Sequence, residues 1–137
     1  MKYCGKCNAY YKTINKKVKS EFKINDTIIS GEITILTCMN CSEEIYDKKI
    51  EISNDIILFD IYKKHHNLLT SKEIIALRGK YELSPDALSK ILGFGLEDIT
   101  KYEHGTIQDI SHDNIMRLVN IDSNFQILWE LRKSNFE

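Results

Sequence analysis

Apolar and polar positions alternate with a period of two over much of the first third of the chain. Val18, Ser20, Phe22 and Ile24 take one side and Lys19, Glu21 and Lys23 the other, the spacing of a strand with one buried face. Asn25-Asp26 is a turn pair, and a second strand follows with Ile29, Gly31, Ile33 and Ile35 on a common face, running into Cys38. The pattern predicts a long hairpin. Residues 43–52 read as extended, and Ser53 or Asn54 is placed to cap a helix starting near Asp55. That helix, apolar over much of its circumference from Ile56 to Tyr62, has the character of a wedge between two units or two chains. The polar run Lys63-Lys64-His65-His66-Asn67 then reads as a solvated linker.

The period changes to that of helices in the second half. Ile74, Ile75, Leu77, Arg78 and Tyr81 share one face of a first helix, with Thr70 or Ser71 as its cap. Ser84-Pro85 is a strong helix start, a capping hydroxyl followed by proline where its missing N–H is harmless. This second helix carries Leu88, Ile91 and Leu92 inward and stops at Gly93-Phe94-Gly95. A third, about 96–104, buries Ile99 and Tyr102 and ends at Gly105. Two more are expected: Ser111–Val119 with Ile115, Leu118 and Val119 inward, and Asn124–Lys133 with Leu128 and Leu131 inward. The fold class predicted is α+β, an N-terminal β-hairpin domain over 1–66 followed by an all-α five-helix domain over 67–137.

The four cysteines form two Cys-x-x-C pairs, Cys4/Cys7 and Cys38/Cys41, with 30 residues between them. Each pair aims two sulfurs at one point, and together they supply the four thiolates that a tetrahedral structural Zn²⁺ takes. Two disulfides or a redox pair are the competing readings. Disulfides need an oxidising compartment, and Met1-Lys2-Tyr3-Cys4 offers no apolar signal-peptide stretch; a redox pair usually sits beside a βαβ pattern, which is not visible. The expectation is one structural zinc per chain in a cytoplasmic protein. A unit of this size cannot bury much core, and a metal commonly supplies the missing stability. His65 and His66 are unneeded as ligands once four cysteines fill the shell.

Charge limits the partners. With 19 basic and 20 acidic residues the net charge is −1, so binding to nucleic acid by bulk charge alone is disfavoured and any such contact must come from local placement. Lys12, Lys16, Lys17, Lys19 and Lys23 form one local basic stretch suited to a solvated face, an acidic partner or a DNA backbone. No apolar run approaches a membrane span. No Ser-His-Asp ordering or phosphate-binding glycine loop can be assembled, and four cysteines would leave zinc no open position for an activated water, so an enzyme is not expected.

Five short helices, the second and third joined by a glycine-containing turn, match the helix-turn-helix layout of repressor-type domains. The combination is more specific. Cys4, Cys7, Cys38 and Cys41, then Leu92-Gly93-Phe94-Gly95 and Ile99-Thr100-Lys101-Tyr102-Glu103-His104-Gly105, follow one another in an order that resembles the MqsA/YgiT-type antitoxins. These are bacterial regulators with a zinc-finger domain and a helix-turn-helix domain. The resemblance implies a structural zinc domain that grips a toxin partner. It also implies a C-terminal domain that dimerises, binds a palindromic double-stranded operator and represses its own operon. The chain departs from that pattern in places. Asn8 and Ser42 follow the cysteine pairs, where the family often has glycine or asparagine. Glu97 stands where an asparagine is expected and Lys101 where arginine is usual.

The candidate DNA contacts are Glu97, Asp98, Thr100, Lys101 and Lys90. Glutamate can accept from cytosine N4 and lysine can donate to guanine O6 and N7, whereas Thr100 and Lys90 suit phosphate. Paired carboxylates facing phosphate are unfavourable unless they reach base edges, which keeps open an alternative: a protein-binding antitoxin or adaptor acting through the zinc domain. Tyr102 reads as core, Glu103 as a brace near Gly105, and Trp129 as packing or a dimer contact.

Overall fold

In a computed structural model describing residues 1–136, the chain divides into two compact units, Met1–Tyr62 and the remainder from Lys63. The architecture is α+β, antiparallel strands followed by helices.

The first unit begins with a short pair, β1 (Lys2–Cys4) and β2 (Ala9–Tyr11). The long hairpin follows, β3 (Thr13–Ile24) and β4 (Thr27–Cys38), in register from Thr13↔Cys38 to Ile24↔Thr27. Its loop is Asn25-Asp26, and Asn25 takes the left-handed φ of 52° that a two-residue hairpin loop needs at its first position. A stub, β5 (Glu44–Ile45), pairs with β4 at Leu36 and Thr37, giving the order β3-β4-β5. β3 is therefore an edge strand.

The helix after the hairpin starts earlier than the sequence suggests. α1 spans Lys48–His65, and Asp47 caps it by accepting from the Ile50 N–H at 3.1 Å. Asn54, expected as a cap, does something else. Its amide accepts from the Thr34 N–H (3.0 Å) and donates to the Thr34 carbonyl (2.8 Å), pairing with the edge of β4 where β5 does not reach. α1 comes so close that a Cβ at Gly31 would lie 2.6 Å from Ile61 Cδ1, which is why a strand interior holds glycine here. The apolar buried set of this unit is thin: Cys4, Ile24, Ile29, Leu36, Cys38, Leu58 and Tyr62.

The second unit is helical: α2 (Ser71–Lys80), α3 (Pro85–Leu92), α4 (Asp98–Glu103), α5 (Ile110–Val119) and α6 (Asp122–Arg132), closed by a 3-10 turn at Lys133–Phe136. The caps are built from the expected hydroxyls. Thr70 and Glu73 form a reciprocal capping box on α2, and Ser84 accepts from the Ala87 N–H on α3. Gly93 closes α3 in the left-handed conformation, φ 77°. One core joins Ile74, Leu77, Leu88, Ile91, Leu92, Ile99, Tyr102, Met116 and Val119. The inward set differs in detail from the periodicity: Met116 is fully buried, while Ile75, Leu118 and Leu131 are exposed.

The 63–67 stretch is not a solvated linker. Lys63 and Lys64 belong to α1, and Lys63 is fully buried with its Nζ donating to the Tyr102 carbonyl at 3.0 Å. Beyond it, Asp113 and Gln108 hold the backbone at Leu69. Asp113 Oδ1 accepts from the Leu69 N–H, Gln108 Nε2 donates to the Leu69 carbonyl, and Arg117 pairs with Asp113 at 2.9 Å. Burial works against ionising Asp113, yet the Leu69 amide and Arg117 hold its carboxyl below the usual range.

Candidate functional site

The cysteines meet at one point. β1 ends at Cys4, paired with Ala9 of β2, and β4 ends at Cys38, paired with Thr13 of β3, and the Met39 N–H donates to the Lys12 carbonyl where the two strand pairs meet. All four Sγ atoms lie within 4.8 Å of one another, with Cys4 and Cys41 3.5 Å apart. That is far beyond the roughly 2.05 Å of a disulfide. A tetrahedral Zn–S₄ shell with bonds of about 2.3 Å has edges of about 3.8 Å, so the donor set fits a metal of that kind.

The two turns close through different hydrogen bonds. The Cys7 N–H points at Cys4 Sγ (3.5 Å), and Asn40 Nδ2 at Cys7 Sγ (3.3 Å). The second turn closes through Ser42 N–H to the Cys38 carbonyl and Cys38 N–H to the Glu43 carbonyl, both 2.9 Å. The residue after each pair is left-handed, Asn8 at φ 54° and Ser42 at φ 64°. Asn8 suits that conformation, and its side chain also accepts from the Tyr3 hydroxyl. Serine suits it less well.

Cys4 and Cys38 are fully enclosed, while Cys7 and Cys41 are half-buried. The Cys7 backbone N–H, with Cys41 and others, holds the Cys4 thiol down at about 7. A backbone hydrogen bond at Glu43 lowers Cys41, but burial and the neighbouring sulfurs outweigh it and push that thiol up to about 12.

The second candidate site is the turn from α3 to α4. Glu97 and Lys101 are exposed and stand one helical turn apart. Thr100 is half-exposed beside them. Asp98 is turned inward: its Oδ2 accepts from the Gly95 N–H at 2.8 Å and lies 4.0 Å from His112 Nδ1. Of the two neighbouring carboxylates, only Glu97 is fully presented. Lys90 lies elsewhere, its Nζ 3.4 Å from the Asn135 carbonyl and 5.3 Å from the Phe136 ring centroid.

Beneath this face α4 is locked in place. Ile99 is fully buried, and Tyr102 is core as the pattern implies. Glu103 braces α2 rather than the turn at Gly105, with Arg78 Nε and Nη2 reaching its carboxylate at 2.8 to 3.0 Å. The Glu103 side chain beside it raises the Arg78 guanidinium further. No local pattern marks a pair 25 residues apart. His112 was equally hidden in the sequence. Its ring stacks flat on Phe94, centroids 3.7 Å apart at 7°, and its Nδ1 is 2.7 Å from the Tyr102 hydroxyl.

No family model matches the chain, and no curated protein matches it. Among the described residues, no helix is long and apolar enough to cross a membrane.

Proposed function

We propose that this chain is a sequence-specific DNA-binding regulator, a repressor of its own operon that acts as a two-fold dimer. Its N-terminal unit is held by one structural Zn²⁺ on Cys4, Cys7, Cys38 and Cys41. The observation that carries the reading is α4: a short helix whose inner side is fixed by Ile99, Tyr102 and Glu103 and whose outer side offers Glu97 and Lys101 one turn apart. A rigid helix with two polar side chains at that spacing suits direct readout in a major groove, with Lys101 on guanine and Glu97 on cytosine. Repressors of this layout read two half-sites about 34 Å apart, which requires a dimer. Support for one comes from Ile110, Leu118, Ile121, Ile127 and Leu131, all exposed on α5, α6 and their connection. Zinc is supported by four sulfurs and no other donor type in the cluster.

The test is a binding titration against DNA upstream of the protein's own gene and against single-base variants of it. Lys101→Ala is expected to cost about 1–3 kcal/mol and to relax preference at one position of each half-site. Binding equal to the parent at every site would reject α4 as the recognition helix.

A second reading rests on a separate observation. Residues 1–20 contain six lysines and no acidic residue, and β3 carries several of them along an open edge. That surface suits an acidic partner, as an antitoxin or adaptor working through the zinc unit would use. The two activities are compatible in one chain.

A further inference from the structure

The α3–α4 turn is not free to set its own position, because α5 reaches under it with a single side chain. We propose that His112 is a positioning residue for α4: its neutral imidazole accepts the Tyr102 hydroxyl proton at Nδ1 and latches the turn, and protonating the ring releases it. The proposal rests on the reading of α4 as the DNA-contacting helix.

Three contacts converge on this ring. Phe94, in the middle of the turn, lies flat against it at 3.7 Å. The Tyr102 hydroxyl, from the buried side of α4, stands 2.7 Å from Nδ1. Asp98 Oδ2, from the first turn of α4, is 4.0 Å from the same nitrogen while accepting from Gly95 N–H at 2.8 Å. One imidazole thus touches the middle of the turn, the start of α4 and its inner face. The ring is fixed in turn by its own helix, since Asp109 caps α5 by accepting from the His112 backbone N–H at 2.8 Å.

The chemistry of the contact gives it a sign. A phenol beside a neutral imidazole donates its O–H to the ring nitrogen that lacks a proton, which puts the ring proton on Nε2. Adding a second proton fills that lone pair. Nδ1–H then becomes a donor: the Tyr102 oxygen at 2.7 Å can take it only by turning its own O–H away, whereas the Asp98 carboxylate at 4.0 Å is the charged acceptor within reach, the same group that holds Gly95. The groups facing the ring are Asp98 and Tyr102 from α4 and Asp109 from the start of α5.

Two sets of measurements test this. The first needs no DNA: nitrogen-resolved NMR of the full zinc-loaded chain across pH 5.5–7.5. At pH 7.5 His112 Nδ1 is expected to be bare, and the Gly95 amide to shift on acidification with the His112 midpoint. A proton on Nδ1 at pH 7.5, or a Gly95 amide that stays still while His112 titrates, overturns the proposal. The second compares affinity for a duplex of the upstream region with affinity for a scrambled duplex at fixed salt. The wild-type ratio should fall about three- to ten-fold from pH 7.5 to 5.5, the scale of one neutral hydrogen bond. His112→Phe keeps a flat ring on Phe94 and Tyr102→Phe removes the donor. Each, and the double variant, should show the reduced ratio already at pH 7.5 and no further pH dependence. A variant that keeps the wild-type pH profile overturns the latch. If no duplex is distinguished at any pH, the DNA reading has failed, and the NMR measurements still decide the latch.

Discussion

The two units hold themselves together by different means. In the helical unit nine buried side chains make one continuous core, and the two buried carboxylates beside it are paired: Glu103 with Arg78, Asp113 with Arg117 and Leu69. In the N-terminal unit the buried apolar residues number seven, four on the hairpin, one on β1 and two on α1, and two of the seven are cysteines. One unit encloses a continuous apolar core; the other gathers four sulfurs at its base, where a bound metal would supply the stability its thin core lacks. A ribbon of this shape has too little interior for the hydrophobic effect alone, whereas five helices enclose a centre. The same chain therefore contains a part whose folding should follow metal supply and a part whose folding should not.

The sharpest way to break that contrast is to take the metal away. Chelation or Cys38→Ser should unfold residues 1–47 while the helices from Ser71 to Arg132 persist, because structural zinc contributes on the order of 10–16 kcal/mol in small finger units. Far-UV circular dichroism retaining its helical signal while the hairpin amides lose exchange protection is the expected result. A single transition that melts both units together would contradict the division. Elemental analysis should find one zinc per chain.

The converse experiment strikes the other unit. Glu103→Ala leaves the half-buried Arg78 guanidinium without its carboxylate, and removing one partner of a buried pair typically costs about 3–5 kcal/mol. Because Arg78 is 28% exposed, the lower end of that range is expected. The loss should appear in the thermal melting of the helices and leave zinc stoichiometry unchanged.

The smallest effect is a gain. Ser42 holds a left-handed φ that costs a non-glycine residue roughly 1–2 kcal/mol. Ser42→Gly should therefore raise the stability of the N-terminal unit by up to about 1 kcal/mol, with no change in the helical one. A tighter zinc affinity in a competition titration with a chromophoric chelator is the measurement, and an unchanged or weaker affinity would count against the strain.

Local chemistry was the legible part of this sequence. The hairpin, its Asn25-Asp26 turn, the caps at Thr70 and Ser84, the stop at Gly93 and the convergence of the cysteines all follow from short-range rules. What escaped depends on partners distant in the chain. Asn54 reads as a helix cap because it is asparagine before an apolar run, yet its amide serves the edge of β4. Lys63 sits in a polar run and is buried because a carbonyl at Tyr102 awaits its ammonium. Asp98 reads as one of two carboxylates facing outward until the Gly95 amide is seen to hold it. His112, whose ring meets Phe94 of the turn and Tyr102 of α4, carries no mark at all in the sequence.

The open edge of β3 has a consequence for how copies of this protein meet. The open outer side of a twelve-residue strand would ordinarily invite another strand, and sheets that extend in this way grow into fibrils. Two copies approaching edge to edge along β3 would bring Lys16, Lys17, Lys19 and Lys23 of each against the same row of its neighbour. Like charge makes that encounter unfavourable, so the edge that most resembles a template for aggregation repels its own kind.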